Sequence, residues 1–551
     1  LPHSLMGMQA EPTQPPLDPE APGPRRPSLS RASAFMSVGT LLSRVTGFLR
    51  LAVIAYSIGI AETRLTDSYN LANTVPNIIY EIVLGGILVS VFVPVFVELL
   101  EKEGRDKAWE VMSGIINFSL IALSGIAVLG IAAAPWIAHF YASRLHGADA
   151  HLQYETIVFL LRLFIPQVVF YALYFILAGV LNAHGKFVPP GFTPVLNNLV
   201  VIGVFIVFHR AYGSVTLGNV TNTQLLVLGL GTTAGVAAAG LALLPFLRGL
   251  GRYHLSVSVS HPSVRKLGKL SVFSLALIAS NQVGFLIVQW LANGEKGAFS
   301  AYLAAFTFFL LPQGLFGYSI NTALLPGMSE AAANERWTDF RERISTGVRS
   351  LLLLVLPTAV GYIVLARPIV RLLLEHGVMH AHSTALVAGV LRILAIALVP
   401  FVLFQFFLRG FYALQDTRTP FLINATSVAI AIAINVVAFH FWKVEGLAAG
   451  NAISYVLAGI ALGFALGRRS GGLDAARMVR SGGRIAAASV GMGLVVWLGT
   501  LLTKNLIDSP SVAAQAAGVG LPVLAGAVTY LGLCRVLRVE ELAFVKGLVR
   551  R

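Results

Sequence analysis

Leu42-Ser43-Arg44-Val45-Thr46-Gly47-Phe48-Leu49-Arg50 places two guanidinium groups inside a segment, residues 34–60, that is otherwise apolar enough to sit in lipid. An arginine near the middle of a bilayer costs at least ~2.5 to 3.5 kcal/mol on insertion scales. Each must therefore snorkel to a surface, pair with an acid, or line a polar cavity between helices. Arg44 and Arg50 stand six residues apart, so on a straight helix they diverge by about 120° and define a broad polar face. Gly47 between them permits a bend or a close neighbour.

The rest of the chain places this segment in a membrane. Of 551 residues, 56% are apolar and 12% charged, against roughly 25% charged in an average soluble protein. Apolar runs of membrane-crossing length recur along almost the whole sequence. We expect an all-α polytopic membrane protein with fourteen transmembrane helices. They are placed at about 34–60, 67–100, 108–140, 154–183, 188–209, 223–248, 263–292, 297–330, 337–366, 383–415, 418–442, 445–468, 480–503 and 511–538.

The charge of +15 follows topology rather than nucleic acid, for no recognition helix or aromatic-basic ladder accompanies it. Taking the N-terminus as inside, outer loops hold Arg64, Arg144, Arg210, Lys296, Arg367, Arg371, Lys443 and Lys504, and inner segments roughly three times as many Lys and Arg. Both termini are expected in the cytoplasm. Residues 1–33 read as a disordered, Pro-rich cytoplasmic tail without a signal peptide. Met6 and Met8 after the opening Leu1 point to a natural start within it. Residues 541–551 form a basic cytoplasmic tail that could lead into a further domain. The lone Cys534 excludes an internal disulfide, and we expect it buried.

Gly179 to Pro189 echoes Gly410 to Pro420, Ala134-Pro135 echoes Arg367-Pro368, and Pro76-Asn77 echoes Pro312-Gln313. The offsets of about 231 to 236 residues span six helices, an even number. That predicts two six-helix lobes in the same orientation, related by a pseudo-twofold along the membrane normal. The N-lobe takes residues 34–250, the C-lobe 260–470, and residues 478–540 supply two additional C-terminal helices. Two such lobes with a site between them suit a carrier.

Polar residues inside spans mark the candidate cavity. Span 2 carries Asp67 at its outer start, then Asn70, Asn73, Asn77, Tyr80 and Glu81. Span 8 carries Thr307, Gln313 and Asn321. Together with Arg44 and Arg50 these form the expected headgroup site, and Gly47, Gly85, Gly86, Pro94 and Pro312 are expected hinges. Arg349 lies near a predicted span end, where snorkelling explains it. Gly229 to Gly235 resembles a nucleotide loop but lacks its strand and lysine, so it reads as close helix packing. Glu375, His376, His380 and His382 have ligand types without a defined outer shell, and we expect no metal. No Ser-His-Asp set, catalytic carboxylate pair or HExxH motif supports an enzyme.

Residues 42–50, Thr66-Asp67, Val75-Pro76-Asn77, Phe92 to Phe96, Leu324-Leu325-Pro326 and Gly410 to Ala413 with Asp416 and Thr419-Pro420 resemble the MurJ/MviN family. These are lipid II flippases of the MOP exporter superfamily. The resemblance implies a transporter of undecaprenyl-diphosphate-linked peptidoglycan precursor, moved from inner to outer leaflet by alternating access. It implies a lipid-tail groove at spans 13 and 14, membrane lipid and cell-wall synthesis proteins as partners, a monomer, and no cofactor. Many relatives carry an arginine and a glutamate further along span 2, where this chain has Tyr80 and Gly85, with Glu81 beside the first. Spans 7 and 11 lack the acids that hold sodium in some relatives, which leaves proton, membrane potential or substrate gradient as driving force. Other readings remain open: another MOP carrier, for an oligosaccharide-lipid or a drug, and a non-transporting scaffold for cell-wall synthesis.

Overall fold

The computed structural model describes residues 29–82, 104–145, 147–251, 253–255 and 272–542. The N-lobe comprises α1 (Leu29–Ile58), α2 (Arg64–Tyr80), α3 (Arg105–Ala142), α4 (Ala148–Phe164), α5 (Gln167–Ala183), α6 (Val188–Tyr212) and α7 (Asn222–Leu241). The C-lobe comprises α8 (Val272–Ala292), α9 (Ala298–Pro312), α10 (Tyr318–Ala333), α11 (Trp337–Leu374), α12 (Ala381–Ile396), α13 (Leu398–Ala413) and α14 (Arg418–Arg469). Beyond them lie α15 (Ala475–Leu502), the single turn α16 (Lys504–Ile507) and α17 (Val512–Val536).

Among the described residues eleven helical segments are long and apolar enough to cross a membrane, and twelve if the pair α12 and α13, bent by 51°, is one span. The expected spans 11 and 12 form the single element α14, which is broken at Trp442 and Lys443, where Lys443 has φ +48°. The two halves fold back on each other: Ser454 Oγ donates to Ser427 O at 3.1 Å, and Gly450 packs on Asn435. Span 2 leaves the described residues after Ile82, so Gly85, Gly86 and Pro94 lie outside them. The expected terminal tails fall largely outside them as well.

The repeat is visible in the turns between paired helices, with its register moved by one residue. After α5, Lys186 N donates to Leu181 O and Gly185 N to Asn182 O. After α13, Asp416 N donates to Phe411 O and Gln415 N to Tyr412 O. Leu181 therefore matches Phe411, an offset of 411 − 181 = 230, and the proline opposite Pro420 is Pro190 rather than Pro189. Matching Gly179 with Gly410 by residue type is one residue out of this register. The turn itself needs a left-handed residue, supplied by Gly185 (φ +73°) in one lobe and Gln415 (φ +56°) in the other.

Small residues let helices approach closely, as in lipid generally. A Cβ at Gly231 would lie 2.5 Å from Val204 Cγ1, and one at Gly235 2.6 Å from Asn197 Oδ1, so this glycine run packs α7 on α6. On α1, Gly39 meets the backbone of Gly191, and Asn198 Nδ2 donates to Ser43 O and Thr46 Oγ1 near Gly47. α1 runs unbroken through Gly47, whose missing side chain serves contact with α6.

The C-terminal helices stand against α11. Leu353, Ile485, Met492, Tyr530 and Cys534 share one buried cluster, and Tyr530 Oη donates to Leu353 O at 2.6 Å. Arg349 does not snorkel. It is 5% exposed and forms an ion pair with Glu541, itself 4% exposed, and Ser481 Oγ donates to the same carboxylate at 2.8 Å. The counter-charge comes from 192 residues away, so a window around Arg349 carries no trace of it.

Candidate functional site between the lobes

Two adjoining chambers lie between the lobes. The first, about 670 Å³, is lined on the N-lobe side by Arg44, Arg50, Asn70, Asn73 and Asn77, and on the C-lobe side by Phe285, Phe306 and Thr307. The second, about 450 Å³, shares Thr74, Asn77, Phe285, Phe306 and Leu310 with it and continues past Glu81. Its far wall is a set of C-lobe amides, Asn281, Gln282, Gln405, Asn424, Asn435 and Asn451.

Arg50 is half-buried and Arg44 exposed toward the first chamber. Among the described residues neither guanidinium has a hydrogen-bonding or ion-pairing partner. Arg50 is eight residues from Ile58, the last residue of α1, or about 12 Å of helix rise, which places it near mid-membrane. Snorkelling therefore does not reach water along its own helix; the chamber is its solvent. Arg44 leans across toward the C-lobe, where a Cβ at Gly314 would lie 3.2 Å from its Nε. Two unpaired forked cations in a cavity of low dielectric are a receptor for an anion, and guanidinium suits phosphate because it binds bidentately and stays charged.

Asp67 is corrected by the structure. It lines neither chamber, is fully buried, and accepts from Gly297 N at 2.6 Å, Ser300 N at 3.0 Å and Ser300 Oγ at 2.7 Å. α9 begins without a side-chain cap of its own. Its free N–H groups and positive end are satisfied by this carboxylate from the other lobe. Glu62, not anticipated from the sequence, repeats the device at the start of α12. It accepts from His380 N at 2.8 Å and Ser383 Oγ at 2.7 Å, while its other oxygen accepts from Ile60 N at 2.7 Å. Burial alone would raise the Glu62 carboxyl, but these hydrogen bonds together outweigh it and hold the group below the usual glutamate range.

Further bonds extend the seam between the lobes. Val378 N donates to Tyr56 O, Arg64 Nη1 to Asn293 O, and Gln153 Nε2 to Asn293 Oδ1. The Arg144 guanidinium lies over Trp290 at 4.7 Å and Phe439 at 5.5 Å. Gly297 packs on Ala61 so closely that any side chain would collide. All of these lie at the ends that the arginine and lysine distribution assigns to the outside. Deeper in, the lobes meet again where Gln282 Nε2 donates to Glu81 Oε2 at 2.7 Å.

The remaining expected site residues divide. Asn70 donates to Ser300 Oγ at the floor of the seam, and Asn77 to Asn73 O along α2. Tyr80 is corrected: it turns into the N-lobe against Tyr171, ring centroids 4.9 Å apart, and lines a side pocket with Tyr174 and Asn197. Of the span 8 set only Thr307 reaches a chamber. Gln313 does not, because six residues after Thr307 it points about 120° away on the same helix, and Asn321 does not, because Pro312 is followed by a π turn, Gln313–Gly317, which inserts a wider turn and rotates α10 relative to α9. A single 3.6-residue period carried through Pro312 puts Asn321 on the wrong face. Of the histidine group, His376 Nε2 is bonded to Leu372 O and His380 belongs to the seam through its backbone.

The family model for the lipid II flippase MurJ matches residues 54–513. This chain belongs to the MurJ family. It is 30% identical over 419 residues to the lipid II flippase MurJ of Burkholderia cenocepacia, covering 74% of this chain and 77% of that protein. It is 26% identical over 512 residues to the probable lipid II flippase MurJ of Rhizobium tropici, covering 91% and 93%. In fold it is similar to a solved lipid II flippase MurJ in an inward closed conformation, with TM-score 0.74, 20% identity, and 92% and 100% of the two chains covered. A multidrug resistance MATE transporter of the MOP superfamily in an inward-facing conformation gives TM-score 0.63 at 13% identity, covering 79% and 98%.

Proposed function

We propose that this protein is a lipid II flippase that carries the diphosphate-linked headgroup from the inner to the outer leaflet through the cavity between its lobes. The observation that carries the reading is the pair Arg44 and Arg50, unpartnered among the described residues and facing a chamber large enough for a polar headgroup. A drug exporter of organic cations would need buried acids where these arginines stand. The polyprenyl tail stays in lipid, along the surface that α15 and α17 add beside α11.

Alternating access follows from the two capped helix starts. Asp67 and Glu62 join the lobes by backbone N–H groups of α9 and α12, bonds that water replaces readily once the lobes part. A state sealed at the outer end receives substrate from the cytoplasmic leaflet; breaking the seam and closing below delivers it outside. No cofactor is needed, and coupling to protons or membrane potential would act on this equilibrium.

Arg50→Ala is expected to abolish transfer while the protein remains folded and in the membrane. The test depletes the protein in cells, supplies each variant, and measures lipid II in the outer leaflet. Full rescue by Arg50→Ala would remove the anion site. Failure of the wild-type chain to restore outer-leaflet lipid II in that assay would favour a scaffold role instead.

A further inference from the structure

We infer that the second chamber is a peptide site whose Glu81 binds an ammonium group carried on a side chain of the substrate's peptide. The inference rests on the flippase reading above and names which part of the headgroup lies where.

Glu81 is the only charged group among the described residues that line this chamber. Its carboxylate takes one hydrogen bond, from Gln282, and no described cation pairs with it. Glu81 is exposed into the chamber, and an ionised carboxylate with no cation beside it is a ready partner for one. Around it stand amides, which offer both donors and acceptors and so match a peptide backbone rather than a phosphate. Several are already oriented by one another: Asn424 Nδ2 donates to Ser280 Oγ and Asn281 Oδ1, both at 3.0 Å, and Asn451 Nδ2 to Tyr302 Oη at 2.5 Å. Asn435, 1% exposed, keeps its Oδ1 without a partner.

Size and connection select the occupant. A desolvated monovalent ion needs a cage a few ångströms across, whereas this chamber has about 450 Å³ and opens into the arginine chamber through Thr74 and Asn77. A group tethered to the arginine-bound anion can reach it. From Thr74 to Glu81 the helix rises seven residues, about 10 Å. That is the length of about three residues of extended peptide. The division of charge is therefore spatial: anion on α1 of the N-lobe, ammonium at the inner end of α2 facing the C-lobe amides.

The probes are lipid II bearing lysine at the third peptide position and the same lipid with that lysine Nε acetylated. Purified full-length protein in vesicles is assayed for binding of each and for transfer between leaflets. The wild type should bind the lysine form at least about tenfold more tightly, the usual scale for a charge-assisted hydrogen bond. Glu81→Gln, which keeps a partner for Gln282, should bind both forms as the wild type binds the acetylated one. Glu81→Asp should recover part of the preference, and Arg50→Ala should weaken both forms alike. Equal binding of the two lipids by a wild type that still transfers lipid II would overturn the ammonium site and leave the flippase reading standing. A sodium requirement lost in Glu81→Gln without discrimination between the lipids would overturn it in favour of an ion. Transfer of neither lipid by the wild type would instead overturn the flippase reading on which it rests.

Discussion

Removing the Asp67 carboxylate should unlock the outer seam. In Asp67→Ala, Gly297 N–H and Ser300 N–H lose their acceptor in a place without water, since Asp67 is fully buried. Each such stranded donor costs about 1 to 3 kcal/mol, and the uncompensated positive end of α9 adds about 0.3 to 1 kcal/mol. Part of this is returned because no carboxylate has to be desolvated, which leaves about 3 kcal/mol. The cost falls on the sealed state alone, because parted lobes expose the same groups to water. The open-to-sealed ratio should therefore rise by a factor of about 100 to 200. Ser300→Ala removes one of the three bonds and should shift it by about 1 kcal/mol. The assay uses the chain's single cysteine to advantage. In a Cys534→Ala background, Asn73→Cys places a thiol in the first chamber beneath the seam. A membrane-impermeant maleimide applied from outside should label it faster in Asp67→Ala than in the parent, with Ser300→Ala between them. Unchanged labelling in a folded Asp67→Ala protein would refute the view that this carboxylate holds the lobes together.

Three further outcomes are expected. Because hydrogen bonding holds Glu62 below the usual glutamate value of about 4.3, its contribution to the seam is complete above that pH and is lost only as pH falls through the lower folded value; labelling of the chamber thiol, taken relative to a free thiol at each pH because the thiolate fraction itself falls with pH, should be flat from neutral pH to about 5.5 and rise below about 4, and Glu62→Gln should remove the rise. Gly297→Ala puts a Cβ at φ +75° into collision with Ala61 Cβ, so it should open the seam by about 2 kcal/mol or more, read by the same labelling. Arg349→Ala should destabilise the protein by about 3 to 5 kcal/mol by stranding buried Glu541, whereas Arg349→Met with Glu541→Leu should be nearly neutral; thermal unfolding in detergent decides, and equal losses in both would show that the packing, not the charge, matters.

Sequence and structure contribute different things here. Lipid has no hydrogen-bonding partners to offer, so a membrane chain must write its helices as long apolar runs, and most of those spans are read directly. Arg44 and Arg50 are legible for the same reason, since a charge in such a run has to face a cavity. The role of Asp67 is not, because its partners are the backbone N–H groups of residues 297 and 300, which leave no mark in side-chain identity. Glu62 and the Arg349–Glu541 pair escape notice for a related reason, as the partners that matter lie 318 and 321 residues away in the first case and 192 in the second. Asn321 is turned away by a π turn that periodicity does not reveal, and the register of the repeat shows in the turn hydrogen bonds rather than in matching residue types. The sequence alone determined a membrane-embedded two-lobe carrier with arginines in its first span. Only the tertiary structure decided which polar groups open to the chamber and which lock the lobes, because that depends on how two rigid lobes meet.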